Sequence, residues 1–136
     1  MTKIRIGSGG AIIKDNKLLL TKRIETKKHF PNYWTFPAGG YEETDNSLIN
    51  TAIREIKEEV NLNFKPTKKL NFYEFQNKGT LSISHIYLGE WAGEIIFQKE
   101  EITEIGWFTY KETKFLDIAF AYTEVIEDLY KLNLIK

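Results

Sequence analysis

GGYEETDNSLINTAIREIKEEVNL, residues 39–62, is the stretch around which the rest of the chain is arranged. It opens on two glycines, passes through a short polar loop and turns into a helix. Ile49, Ala52, Ile53, Ile56 and Val60 follow the i, i+3, i+4, i+7 spacing of an amphipathic helix. Ser47 is the expected N-cap, because its hydroxyl can accept a hydrogen bond from a free N–H of the first turn. Asn61 is the expected terminator, since asparagine tolerates the left-handed backbone second best after glycine.

The other face of this helix carries the chemistry. Glu55, Glu58 and Glu59 are spaced i, i+3 and i+4, so their carboxylates rise from one patch. Adjacent carboxylates repel one another and destabilise a bare helix. A hard divalent cation reverses that penalty, and Mg²⁺ prefers oxygen ligands of this kind. A solvated acidic face laced with Arg54 and Lys57 is the commoner origin of such a string. What sets this one apart is the Gly39-Gly40 pair ahead of it, which lets the backbone come close to a ligand or metal.

With these residues in place, the segment resembles the Nudix box, G-x5-E-x7-R-E-U-x-E-E-x-G-U, where U is a bulky aliphatic residue. Gly40 is the leading glycine, and Arg54-Glu55-Ile56-Lys57-Glu58-Glu59 matches the REUxEE core at every specified position. Asn46 replaces the first glutamate and Asn61 the second glycine. In the family that first glutamate helps to orient the arginine. Asn46 can hydrogen-bond Arg54 but cannot form an ion pair with it, which leaves Glu42 or Glu43 to compensate from the loop.

The resemblance implies a fold of the α/β (α+β) class. This is the Nudix α/β/α sandwich, a mixed central sheet with the box helix on one side and a C-terminal helix on the other. It also implies a site. Glu55, Glu58 and Glu59 would hold Mg²⁺, with Mn²⁺ as a substitute, and a Gly39 carbonyl would add a ligand. Arg54 would orient the glutamates by ion pairing. A free carboxylate, from Glu55 or from the segment bearing Glu101 and Glu104, would take a proton from water. Arg23, Gly40 and Glu101 are the candidates for holding substrate, Arg23 because its planar donor fork suits phosphate oxygens.

The implied reaction splits a phosphoanhydride in a nucleoside diphosphate linked to a moiety X. A nucleoside triphosphate, oxidised or not, yielding monophosphate and pyrophosphate is the first expectation. ADP-ribose or a nucleotide sugar is the second, prompted by the Pro37-Ala38-Gly39 lead-in. A catalytically weak Nudix-fold nucleotide-binding module is the alternative of another class; Asn46 favours it and the intact glutamates oppose it.

Composition narrows the setting. The chain has 136 residues and is expected to form one domain, 1–136. It has no cysteine, which removes disulfides, thiol nucleophiles and cysteine-bound zinc. Nineteen Lys and Arg balance nineteen Asp and Glu, against the basic excess of a nucleic-acid surface. No apolar run is long enough to span a membrane, and MTKIRIGSGG lacks the apolar core of a signal peptide. The expectations are a cytoplasmic location, a small nucleotide as the only partner, and a monomer or homodimer.

Along the chain, residues 3–14 read as a glycine-bearing strand, Asp15-Asn16 as a turn, and Leu18-Leu19-Leu20 as a return strand ending at Lys22 and Arg23. Residues 24–33 form a loop with a basic patch. Trp34 leads into Pro37-Ala38-Gly39-Gly40 and is expected to anchor packing, with His29 at the surface. Residues 65–67 read as a linker. Strands are expected over 70–76 and 80–91, with His85 hydrogen-bonded inside the second and Phe75 and Tyr87 packing. Residues 111–116 are expected to form a helical turn, and 118–132 a terminal amphipathic helix.

Overall fold

The computed structural model describes residues 2–136. Eight strands form two four-stranded sheets where the sequence pattern predicts one mixed sheet. In the first, β1 (Lys3–Gly10) runs parallel to β7 (Thr80–Ala92), with Ile6 opposite Ile83. The short β5 (Ala38–Gly40) pairs antiparallel with β1, and β6 (Asn63–Asn77) pairs antiparallel with β7, giving the order β5-β1-β7-β6. In the second, β3 (Lys17–Arg23) pairs with β2 (Ile13–Lys14), β4 (Trp34–Thr35) and β8 (Ile102–Phe108). The predicted 3–14 strand therefore splits after Gly10. A Cβ at Gly10 would lie 2.8 Å from the Phe64 ring and 2.9 Å from Ile56, so the chain changes sheets where only glycine fits against the core.

Alternation along the strands serves two cores. Leu18 and Leu20 of β3 and Ile86 of β7 face one cluster; Leu19 and Tyr87, their chain neighbours, face the other. Helix α1 (Leu48–Val60) closes the second cluster with Ala52, Ile56 and Val60, all fully buried. Helix α3 (Tyr122–Lys131) closes the first with Tyr122, Val125, Ile126 and Leu129. Each such aliphatic side chain contributes about 1.5–3 kcal/mol by leaving water. The sheets thus lie between two helices, as the resemblance implies. A single helical turn, α2 (Tyr110–Thr113), sits between β8 and α3 and is capped by Thr109.

The caps of α1 match the sequence pattern. Ser47 Oγ accepts the Asn50 N–H at 3.1 Å, and Asn61 ends the helix with a left-handed φ of 62°. Ile49 and Ile53, placed on the apolar face by periodicity, are 44% and 36% exposed and flank the buried stripe.

Two boundaries differ from expectation. The terminal helix starts at Tyr122, because residues 117–119 are held as a strand-like segment against Trp34. The Trp34 N–H donates to Asp117 O at 2.8 Å, the Ala119 N–H donates to Trp34 O at 2.9 Å, and Phe120 then turns left-handed at φ 52°. Residues 65–67 are not a linker but part of β6. Pro66 is tolerated there because β6 is an edge strand, and the pairing shifts register between Pro66 and Lys68 and again between Lys69 and Asn71. Among the described residues no helix is long and apolar enough to cross a membrane.

Candidate active site

Arg54 is the hub of the site. Its Nε and Nη2 donate to the two carboxylate oxygens of Asp45 at 2.7 and 3.0 Å, a bidentate fork. Nη2 also reaches the Gly40 carbonyl at 3.0 Å, and Nη1 donates to Glu55 Oε1 at 2.7 Å and Glu58 Oε2 at 3.2 Å. One guanidinium therefore ties the glycine loop to two box glutamates. Asp45 is buried, and it also accepts from the Thr51 hydroxyl at 2.8 Å and the Glu42 N–H at 3.0 Å.

The position expected to support Arg54 is thus corrected by one residue. Asn46 does not touch the guanidinium; it ends the 3₁₀ turn over Glu43–Asp45 with φ 66°. That left-handed residue swings the chain so that Asp45, not Asn46, points at Arg54. Of the proposed compensating residues, Glu42 is peripheral at 3.8 Å from Nη2, and Glu43 makes no ion pair among the described residues. The signal was present in the sequence as the aspartate one position before the consensus glutamate.

Hydrogen bonds from Arg54, joined by those from the Glu42 N–H and Thr51, hold the Asp45 carboxyl well below the usual carboxylate range despite its burial. In the unfolded chain it titrates near ~3.9. On acidification the unfolded state takes up the proton first, so this contribution is complete above that value and is lost as pH falls below it. Denaturant unfolding of the wild type and Asp45→Asn is expected to show a stability gap at pH 7 that narrows below about pH 4. A gap that stays constant down to pH 3 would contradict the linkage.

Glu55 and Glu59 face inward beside the glycines. Glu59 is 9% exposed, and among the described residues its carboxylate accepts one hydrogen bond, from the Ala38 N–H at 3.1 Å. Burial, and then the charge of Glu55, pushes the Glu59 carboxyl well above its ordinary value. Burial likewise raises Glu55, with Arg54 pulling the other way. A Cβ on Gly39 would fall 2.2 Å from the Glu55 carboxylate, so the glycine leaves the space that this carboxylate fills. A buried carboxylate with one donor, a second beside it and a bare backbone cradle form an oxygen-rich set that suits a hard divalent cation. Among the described residues no three acidic or histidine side chains already enclose a point, because Arg54 draws Glu55 and Glu58 to itself.

The Gly39 clash involves the mobile end of a side chain rather than backbone. Gly39→Ala is therefore expected to fold with a nearly unchanged Tm while Glu55 is displaced. Divalent-metal affinity, read by titration calorimetry, should fall about tenfold.

A cleft of about 260 Å³ opens beside these residues, between the two sheets. Arg23, Gly39, Gly40, Glu55, Glu59 and Glu101 all line it, so most of the residues singled out in sequence converge. Glu58 does not line it and stands half exposed, tied to Arg54. Glu104 does not line the cleft: it is paired with Lys22 at 3.2 Å at an exposed position on the second sheet. Glu101, at the cleft, is paired with Lys27 at 2.9 Å. Arg23 donates Nε to the His29 carbonyl at 2.9 Å and lies 5.3 Å over the Phe120 ring.

Sequence reading missed Arg5, Phe120 and Tyr122 as cleft residues. The left-handed turn at Phe120 takes that ring off the helix face where periodicity puts it. Phe75 packs on Phe30 and Phe120, and Tyr87 is 7% exposed in the α1 core, as expected for packing residues. His85 lies outside the cleft against Lys69.

A glycine loop clasped by the arginine of an acidic helix, on a sheet sandwich, defines a recognisable class. The NUDIX domain model matches residues 4–129, and the chain belongs to the Nudix family. Among curated relatives it is 44% identical over 52 residues to the m7GpppN-mRNA hydrolase NUDT17 of Danio rerio, covering 38% of this chain and 17% of that protein. It is 28% identical over 96 residues to YfcD of Escherichia coli K12, described as an uncharacterized Nudix hydrolase, covering 71% of this chain and 53% of that one. The chain thus spans about a sixth and about half of these relatives. The crystal structure of a MutT protein from Methanosarcina mazei Go1 superposes with TM-score 0.86 at 18% identity, over 97% of this chain and 96% of that one, which speaks for the fold.

Proposed function

We propose that this protein is a Mg²⁺-dependent hydrolase of a phosphoanhydride bond in a nucleoside diphosphate linked to X. A nucleoside triphosphate, cut to monophosphate and pyrophosphate, is the first substrate to test. The observation that carries this is the Asp45–Arg54 fork presenting Glu55 and the Gly40 loop together at the cleft. Glu55, Glu58, Glu59 and the Gly39 carbonyl would hold the cation. When bound, it neutralises phosphate oxygens and lowers the pKa of a coordinated water.

The chain's own residues supply the rest. Glu59 is fixed by the Ala38 N–H, so its carboxylate is positioned before any ligand arrives. A carboxylate left free by the cation, Glu55 or Glu101, would accept the proton of an attacking water. Glu101, paired with Lys27, is the third carboxylate at the cleft beside Glu55 and Glu59, whereas Glu104 pairs with Lys22 outside that lining. Arg23 presents a guanidinium backed by the Phe120 ring toward the anionic substrate. Asn46 lends a binding module less support, since Asp45 supplies the ion pair that Asn46 cannot.

The test is a phosphate-release screen over nucleoside triphosphates, nucleotide sugars and ADP-ribose, with and without Mg²⁺. Turnover that requires the metal supports the assignment. Tight nucleotide binding with no turnover across the panel would favour a binding module instead.

A further inference from the structure

Positive charge in the cleft is distributed unevenly. Lys27 is neutralised by Glu101, but Arg5 makes no ion pair or side-chain hydrogen bond among the described residues. Arg5 stands on β1 opposite Ser82 of β7, and Ser82 is in turn opposite Phe75 of β6. Phe75 packs on Phe120, whose ring carries Arg23. Arg5, on β1 of the first sheet, and Arg23, at the end of β3 of the second, therefore line the same cleft from its two walls. Arg23 spends Nε on the His29 carbonyl; its terminal nitrogens have no acceptor among the described residues.

We propose that this end of the cleft binds a second anionic group of the substrate, a phosphate or carboxylate outside the scissile diphosphate, held between Arg5 and Arg23. The inference rests on the phosphoanhydride reading above and adds the class of substrate. The three carboxylates at the cleft are already bonded, Glu55 to Arg54, Glu59 to the Ala38 N–H and Glu101 to Lys27. Arg5 and the terminal nitrogens of Arg23 leave a donor demand that a neutral nucleobase does not fill. A phosphate or carboxylate meets it with paired N–H···O bonds. The nearby Ser82 and Ser84 hydroxyls of β7 can donate to the same oxygens.

The test uses matched pairs that differ by one anionic group: UDP-glucose against UDP-glucuronate, and ADP-ribose against its adenosine 2′-phosphate. The first pair places the group on X and the second on the nucleoside. The ratio of kcat/KM, of the member with the extra anionic group to the member without it, is expected to be about tenfold or more for at least one pair, the effect of a hydrogen bond to a charged group. It should fall to near unity in Arg5→Gln and be partly restored in Arg5→Lys. Arg5 is exposed, so an unchanged Tm will show that the variants fold.

Ratios near unity for both pairs in the wild type would overturn the proposal while leaving hydrolysis established. An equal loss on both members in Arg5→Gln would also overturn it, by assigning Arg5 to the diphosphate itself. Absence of turnover on every phosphoanhydride tested would overturn the underlying hydrolase assignment, and this proposal with it.

Discussion

Glu58→Gln combined with Glu59→Gln is expected to lower kcat/KM by ~10³-fold or more, since metal-derived charge stabilisation is worth several kcal/mol. Glutamine keeps the shape of each side chain and the Ala38 N–H contact at Glu59, but removes the charge that would hold a cation. The same change relieves a cost in the metal-free protein. Burial beside Glu55 with one donor makes ionising Glu59 costly, so its neutral replacement should raise the metal-free Tm at pH values where Glu59 is ionised. Activity lost and stability gained in one variant is a signature that a merely structural role would not give. Initial rates at saturating Mg²⁺ with a parallel thermal melt decide it. Rates within tenfold of wild type would reject these glutamates as the metal site.

The second large effect is expected at Asp45. Asp45→Asn keeps the size but leaves Arg54 without its bidentate anion. The guanidinium is then free to close more tightly on Glu55 and Glu58, the groups proposed to hold the metal. Loss of an orienting partner of this kind lowers activity or metal affinity by ~10–100-fold. Asn46→Glu restores the family consensus letter and is expected to gain nothing, because residue 46 occupies a left-handed turn and does not face Arg54. That backbone suits asparagine better than glutamate, so a small loss of Tm is expected instead. If Asn46→Glu raises kcat/KM while Asp45→Asn is silent, the assignment of the pairing to Asp45 fails.

These two positions show where the sequence was legible. Ser47 and Asn61 bounded α1 correctly because capping is local chemistry, decided within one turn. The REUxEE spacing likewise places its glutamates by helix geometry alone. The partner of Arg54 depended on a 3₁₀ turn and one left-handed residue, which shift the loop by a position that spacing cannot register. The choice between Glu101 and Glu104 depended on strand pairing. β3 meets β8 with Lys22 opposite Glu104 and a register shift immediately after, so the two glutamates serve different surroundings. Phe120 was hidden for a related reason: helical periodicity extended through a residue whose backbone is not helical. Arg5 carries no local signal, because its place at the cleft arises only when strand β3 of the other sheet brings Arg23 to the same opening.

The fifteen-residue strand β6 borders the first sheet for most of its length, with Pro66 and two shifts of register near its start. Long free borders of this sort invite another molecule to add itself as a further strand and begin a fibril. Here the missing amide of Pro66, the kinks on either side of Lys68 and Lys69, and the flanking positive side chains interrupt that template. Such interruptions are the devices by which a free strand border is made a poor template for further strands.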